Sequence, residues 1–293
     1  MKNLLETNNI TKQYAPQKGA FDISIKVEPG EIVGFIGPNG AGKSTTIRML
    51  VGLTSPDSGK LFLFGNQITA KEQLRSFNER IGFLASELGL YSSSSAKQLF
   101  QLSEKLYQKK LLSQAMSIAE RLDLDVGKKI KKLSLGNKRK VGLIQCILHG
   151  PELLILDEPT SGLDPLIQRQ VLEILSEMRE QGKSVFLSSH NLTEVQAICD
   201  RIIMIKEGRI VFSGKTKEIL QNAQKQVRIV SPTKKAKEAI EKLDVSLRLE
   251  QFGEEMIIIT NDVKPIINAL TKSGHYEFYI ERPNLETMFI DYY

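Results

Sequence analysis

Gly37-Pro38-Asn39-Gly40-Ala41-Gly42-Lys43-Ser44-Thr45 is the stretch on which the fold turns. It fits the pattern GxxxxGK[ST], and its flanks suit the mechanism of that pattern. Before it, EIVGFIG (31–37) is a short apolar run ending in glycine, as a buried strand does. After it, a helical pattern runs from Ser44 to Val51. Glycines at such a junction let consecutive backbone N–H groups converge on phosphate oxygens, and the helix start adds partial positive charge. Lys43 is placed to reach the outer phosphates of a nucleotide, and the Ser44 hydroxyl to bind Mg²⁺. A glycine turn with an incidental Lys-Ser would need neither flank. The stretch predicts a nucleotide site without saying which class of nucleotide enzyme it serves.

Working outward, Leu153-Leu154-Ile155-Leu156 fills a second buried strand that delivers Asp157 and Glu158 at its end. A strand ending in a solvated acidic turn is common by itself. Beside a phosphate loop, Asp157 becomes a holder of Mg²⁺ and Glu158 the group that polarises the attacking water. A third apolar strand, SVFLSS (184–189), presents His190 at its end, within reach of the same phosphate. FDISIKV (21–27), LFLFG (61–65), RIGFL (80–84) and RIIMIK (201–206) read as further strands. The pattern turns helical from about Ser92 to Leu122, again from near Leu135, and from Leu166 to Gln181. Strands alternating with helices predict an α/β domain on a largely parallel sheet, with its ligand beyond the carboxyl ends of the strands.

The pattern changes after Leu220. QVRIVS, a helix through Ile240, SLRLEQF, EMIIIT, a helix near Val263–Thr271 and YEFYI follow a β-α-β-β-α-β order. That order predicts a small ferredoxin-like α+β domain. The expected organisation is therefore a first domain over 1–220 with a helical subdomain at about 88–148, a linker over 221–226, and an accessory domain over 227–293.

Composition narrows the class without choosing a function. With 293 residues, 41% hydrophobic and 25% charged, the chain is globular in composition and long enough to bury a large core without staples. Cys146 and Cys199 have no paired spacing, which argues against a disulfide framework or a zinc cluster and fits a reducing compartment. The first residues, MKNLLETNNITKQY, hold no apolar core of signal-peptide length. No apolar run approaches the roughly 20 residues of a membrane span, so the chain is not expected to cross a bilayer by itself. The net charge of +6 suits nucleic acid, anionic lipid, a polyphosphate or a plain solvated surface. The run Lys128, Lys129, Lys131, Lys132, Lys138, Arg139, Lys140 has no interleaved aromatics, which weakens a single-strand nucleic-acid platform.

Between the phosphate loop and the acidic strand, Leu133-Ser134-Leu135-Gly136-Asn137-Lys138-Arg139-Lys140 opens a helix and is similar to the signature motif of ABC ATPases. Pro159-Thr160-Ser161-Gly162-Leu163-Asp164 resembles that family's D-loop, and Ser189-His190 its switch. Tyr14 matches the aromatic residue that stacks on adenine. The resemblance covers about residues 4–215 with the motifs in family order, and its closest branch is the bacterial exporters of peptides, antibiotics and similar amphiphiles. The ending Asn284-Leu285-Glu286-Thr287-Met288-Phe289 looks like the end of the C-terminal extension of some exporter-type members. Two departures stand out. The usual signature is LSGGQ, and here Leu135 and Asn137 stand in its third and fifth places, while Ser134 and Gly136 are kept. Ser86 stands where the Q-loop glutamine would be, and a serine is too short for the glutamine's task, which leaves coupling to water or to Glu87.

The resemblance implies an ATPase using ATP and Mg²⁺, with the nucleotide on Tyr14 and Gly37 through Thr45 and the metal on Ser44 and Asp157. It assigns Glu158 and His190 to hydrolysis. Ser134, Leu135, Gly136 and Asn137 would act in trans on a nucleotide held by a second subunit, either a copy of this chain or a related ATPase, with Asp164 in the D-loop. The motor would drive a separate polytopic transmembrane permease from the cytoplasmic face of the cell membrane, exporting a substrate. The alternative is a soluble ABC-type ATPase acting on the ribosome or nucleic acid. The ribosome type usually carries two cassettes and the DNA-repair type a long coiled-coil insertion, and this chain has one phosphate loop and no such insertion. A P-loop kinase or GTPase would not need the signature or the switch. No nucleic-acid partner is expected.

Overall fold

The strands Ile32–Ile36, Leu153–Asp157 and Ser184–Ser189 are buried at every position, which requires cover on both faces. In the computed structural model, which describes residues 2–222, 224–243, 248–252, 254–281 and 284–289, they are neighbours in one six-stranded sheet. Its order is Arg209–Lys215, Arg201–Lys206, Ile32–Ile36, Ser184–Ser189, Leu153–Asp157, Ile81–Leu84. All neighbouring pairs run parallel except the outermost pair, where Arg209–Lys215 is antiparallel to Arg201–Lys206. The register sets Ile36 beside Ser189, Asp157 beside Ser188 and Leu84 beside Leu156, so four strands end together. Phe35 and Phe186 meet at the centre with ring centroids 5.4 Å apart. Lys43–Leu50 packs against Leu153–Asp157, and Pro165–Glu180 and Leu192–Ile198 pack against Ser184–Ser189.

A second sheet, antiparallel, is the part that periodicity alone did not reveal. Leu5–Ala15 is an eleven-residue strand between Lys18–Ile23 and Ser58–Leu63, with Lys26–Val27 and Asn66–Ile68 completing the sheet. Only Leu5, Thr7 and Ile10 of the long strand are buried, too sparse an apolar signal to read in LETNNITKQYA. Thr7 sits in the core because its hydroxyl donates to Ile23 O at 2.9 Å and accepts from Ile25 N at 2.8 Å. FDISIKV, expected as one strand, is divided between Lys18–Ile23 and Lys26–Val27.

The helical stretch after Ser92 resolves into Ala96–Tyr107 and Leu112–Arg121, separated where Gln108 takes φ 52°. Ser95 starts the first with a capping box: its hydroxyl accepts from Gln98 N while the Gln98 side chain accepts from Ser95 N. The helix Leu135–Leu148 is capped by Ser134, whose hydroxyl accepts from Asn137 N at 3.2 Å. His149 at its far end stacks on Tyr107 with ring centroids 4.5 Å apart.

The chain divides into two compact units, Met1–Thr216 and Lys217–Tyr293, a few residues before the boundary expected at 220. Lys225 and Gln226, expected as linker, are the first residues of a strand. The second unit has a four-stranded sheet in the order Arg248–Phe252, Glu255–Thr260, Lys225–Val230, Phe278–Glu281, antiparallel throughout. With helices Lys234–Glu241 and Lys264–Lys272 between strands, this is a ferredoxin-like order. Val227, Ile229, Ile240, Ile258, Ile266 and Leu270 are fully buried in its core. Of the segment ending at Tyr293, the helix Leu285–Phe289 buries Leu285 and Phe289, and residues 290–293 lie outside the described residues.

Candidate nucleotide and hydrolysis site

Because the strands end in register, the turns that follow them meet in one place. Gly37 through Gly42 leave the strand Ile32–Ile36, Glu158 leaves Leu153–Asp157, and His190 leaves Ser184–Ser189. The phosphate loop is shaped by steric necessity. Gly40 and Gly42 take φ of 82° and 105°, left-handed values that favour glycine, and a Cβ on Gly37 would lie 2.2 Å from Ile205 O. Asn39 and Gly40 are exposed, Pro38 is half-buried and Ala41 is buried. Gly208 N donates to Ala41 O at 2.9 Å and ties the loop to the neighbouring hairpin.

The helix Lys43–Leu50 begins with no side-chain cap and no acidic residue in its first turn. Its first N–H groups therefore look for an acceptor outside the helix. Lys43 is buried, and its ammonium donates to Gly37 O at 2.6 Å and Pro38 O at 3.1 Å. Burial pulls its pKa below the usual lysine value, while Glu158 and Asp157 partly restore it. A cavity of about 450 Å³ opens over this loop, lined by Asn39, Lys43, Ser44, Thr45 and Glu158 and by Tyr14, which is 57% exposed. Side-chain-free glycines, uncapped N–H groups and a buried cation suit a phosphate chain, and the exposed Tyr14 ring suits an adenine.

The carboxylates are held differently. Asp157 is buried and accepts from the Ser188 hydroxyl at 2.6 Å. The same Ser188 oxygen accepts from Glu158 N at 3.0 Å, so one serine positions both acidic residues. Glu158 has φ 50°, a strained value for a non-glycine residue. Its carboxylate lies 3.9 Å from Lys43 Nζ and 3.3 Å from His190 Nδ1. Ser44 and Asp157 offer the hydroxyl and carboxylate oxygens that Mg²⁺ prefers. Among the described residues no group of three or more His, Cys, Asp or Glu could hold a metal ion.

Ser134, Leu135, Gly136 and Asn137 do not line this cavity; Ser134 and Leu135 are exposed. The signature helix instead approaches the D-loop of its own chain, where a Cβ on Gly136 would lie 2.8 Å from Gly162 O. Asp164 caps the helix Pro165–Glu180, accepting from Ile167 N at 3.1 Å, and does not line the cavity either. Ser86 is half-buried, and its carbonyl accepts from Arg139 Nη2 at 2.7 Å.

Sequence reading missed several partners. Ser188 looked like one more strand residue. Thr160 donates to the buried Glu194 at 2.7 Å, joining the D-loop to the helix that follows His190. Arg139 looked like part of a lysine-rich surface, yet it is buried and donates to Asp157 O and Glu158 O. Its one signal was its place one turn inside a capped helix, on the side that packs.

Residues 20–161 match the family model described as ABC transporter. The chain is 37% identical over 217 residues to the bacitracin transport ATP-binding protein BcrA of Bacillus licheniformis, covering 72% of this chain and 69% of that one. It is 33% identical over 297 residues to the ABC transporter ATP-binding protein YhcH of Bacillus subtilis, covering 99% and 96%. A solved ATP-binding subunit of an ABC transporter superposes with a TM-score of 0.66 at 28% identity, covering 74% of this chain and 92% of the other. A loop built for phosphates, two carboxylates on one serine and a relative matched over nearly its whole length lead to one conclusion: the chain belongs to the ABC transporter family as an ATP-binding protein, an ATPase that uses ATP and Mg²⁺.

Proposed function

We propose that the first unit is the nucleotide-binding motor of an exporter and that the residues meeting at the strand ends carry its reaction. The observation that carries this reading is that Lys43 and Glu158 line the cavity over the phosphate loop, with His190 3.3 Å from the Glu158 carboxylate and Asp157 held by Ser188. Gly37 and Asn39 through Thr45 bind the phosphates through backbone N–H groups, and Lys43 offers a point charge to the outer phosphates. Tyr14 stacks on the adenine. Ser44 and Asp157 would hold Mg²⁺, which would supply charge neutralisation at the phosphate oxygens. Glu158 accepts a proton from the attacking water, and His190 orients the Glu158 carboxylate and contacts the terminal phosphate.

The exposed signature explains why a second subunit is needed. Ser134 through Asn137 lie at a helix start outside their own chain's cavity, so they serve a nucleotide held by the facing subunit. Two such subunits close head-to-tail around ATP and reopen after hydrolysis, a ligand-driven population shift. Among the described residues no helix is long and apolar enough to cross a membrane. We assign the pathway for cargo to a separate polytopic permease, with this chain at the cytoplasmic face of the membrane, on the likeness to ABC transporter ATP-binding proteins. The name of the Bacillus licheniformis relative, a bacitracin transport protein, supports export of a peptide or similar amphiphile. The unit Met1–Thr216 is the motor and the unit Lys217–Tyr293 an accessory domain.

Affinity purification from detergent-solubilised membranes tests the reading. A polytopic membrane protein should co-purify, and the complex should show ATPase activity that a transported compound stimulates. Recovery with ribosomes or nucleic acid and no membrane protein would replace the exporter with the soluble alternative.

A further inference from the structure

Arg139 lies one turn inside the helix Leu135–Leu148 and is 4% exposed. Burying a guanidinium is costly unless its donors are met, and among the described residues its hydrogen-bond partners are carbonyls, with the Glu158 and Asp157 charges nearby. Nη1 donates to Asp157 O at 3.2 Å and Glu158 O at 2.8 Å, and Nη2 donates to Ser86 O at 2.7 Å. Nε is buried with no partner. An apolar side chain would fill this volume at lower cost, so the distinctive contribution of the arginine is geometric. Its planar fork holds carbonyls from two strand ends against one helix. One carbonyl belongs to Glu158, whose left-handed backbone persists only where its surroundings enforce it. Another belongs to Ser86, the residue that replaces the expected glutamine.

We propose that Arg139 is the positioning residue through which the Ser86 segment acts on Glu158. It secures the backbone that aims the Glu158 carboxylate toward Lys43 and His190, and a displacement at Ser86 O loosens that hold. The inference rests on the reading of Glu158 as the hydrolytic carboxylate. Lysine cannot replace the arginine, because an ammonium is a point charge on a flexible stem and lacks the fixed fork.

Arg139→Met and Arg139→Lys in the full chain test this. Both should lower kcat about tenfold or more, as small misplacements of reacting groups do. The KM for ATP should stay within about twofold, because Lys43, Ser44 and Tyr14 are untouched. In a Glu158→Gln background, Arg139→Met should change the residual turnover by less than about twofold, since the group it positions has been removed. Amide hydrogen exchange supplies a readout without turnover: peptides covering 81–90 and 156–160 should exchange faster in Arg139→Lys, while those from Lys217–Tyr293 keep the parental rate. Should Arg139→Met fail to fold, the charge-conserving Arg139→Lys gives the same comparison, paired with Glu158→Gln. Parental kcat in Arg139→Lys, or an equal loss with and without the Glu158 carboxylate, overturns the proposal. A parental chain that hydrolyses ATP undiminished by Glu158→Gln overturns the reading beneath it instead.

Discussion

Glu158 carries a backbone conformation that side chains resist and a carboxylate that faces a buried cation, and the two are connected. The turn after Asp157 places its carboxylate at the cavity rather than letting the chain run on past the sheet edge. Glu158→Gln keeps the shape of the side chain and removes its basicity. Turnover should drop about a hundredfold or more, as loss of a general base does, while ATP binding persists. Phosphate release and equilibrium titration of the same preparation check both halves, and parental turnover would remove Glu158 from the role. Lys43→Ala acts on binding instead. It deletes the ammonium held between Gly37 O and Pro38 O, so ATP affinity should fall about tenfold or more, a loss of at least ~1.4 kcal/mol. Unchanged affinity in a fluorescence titration would place Lys43 outside the site.

At the scale of elements, the helices owe their starts to identifiable caps. Asp164 caps Pro165–Glu180, with Pro165 set in the first turn where its missing N–H costs nothing. Asp164→Ala should destabilise the protein by about 1 kcal/mol, and the Tm of the first transition should fall by roughly 2–4 °C. An unchanged Tm in calorimetry would mean that the cap does not contribute. His149 ends the signature helix with its ring buried beside Tyr107, and Nε2 lies 3.2 Å from Ile81 O. Burial lowers its pKa below the usual value near 6.5, Lys109 adds to that, and the Ile81 and Gln145 carbonyls and Glu79 oppose it. The unfolded chain then takes up a proton that the folded chain refuses. This contribution to stability is fully present above about pH 6.5 and is lost as pH falls from there toward the folded pKa. Urea midpoints measured from pH 7.5 to 5.5 should show a smaller acid loss in His149→Gln than in the parent. Parallel curves would show that His149 does not titrate with folding.

For the whole molecule, the decisive arrangement is what one subunit leaves unfinished. Ser134 caps its own helix and does not line its own chain's cavity. Ser134→Arg should therefore leave ATP binding to the isolated chain intact. In a Glu158→Gln background it should block ATP-induced dimerisation, because the larger side chain occupies the place of the phosphate contact. Light scattering with and without Mg-ATP distinguishes the species. A dimer that still forms would remove Ser134 from the facing site, and lost binding by the single chain would place Ser134 in its own pocket.

Local sequence determined the phosphate loop, because the conformation of Gly40 and Gly42 and the helix start at Lys43 depend on residue type and near neighbours. It also determined the buried strands, because LLIL (153–156) and VFL (185–187) are short uninterrupted apolar runs of the kind a covered strand uses. The antiparallel strand Leu5–Ala15 escaped that reading, since its stability comes from pairing with strands as distant in sequence as the Leu5–Leu63 pair. The Ser188 bridge between Asp157 and Glu158 and the Arg139 fork escaped it for a related reason. Each joins a side chain to acidic residues or carbonyls 18 to 53 positions away, and no periodicity encodes that distance. Residue types could announce the chemistry of this chain. Which partner holds each reacting group was decided only when the parallel strands aligned their ends.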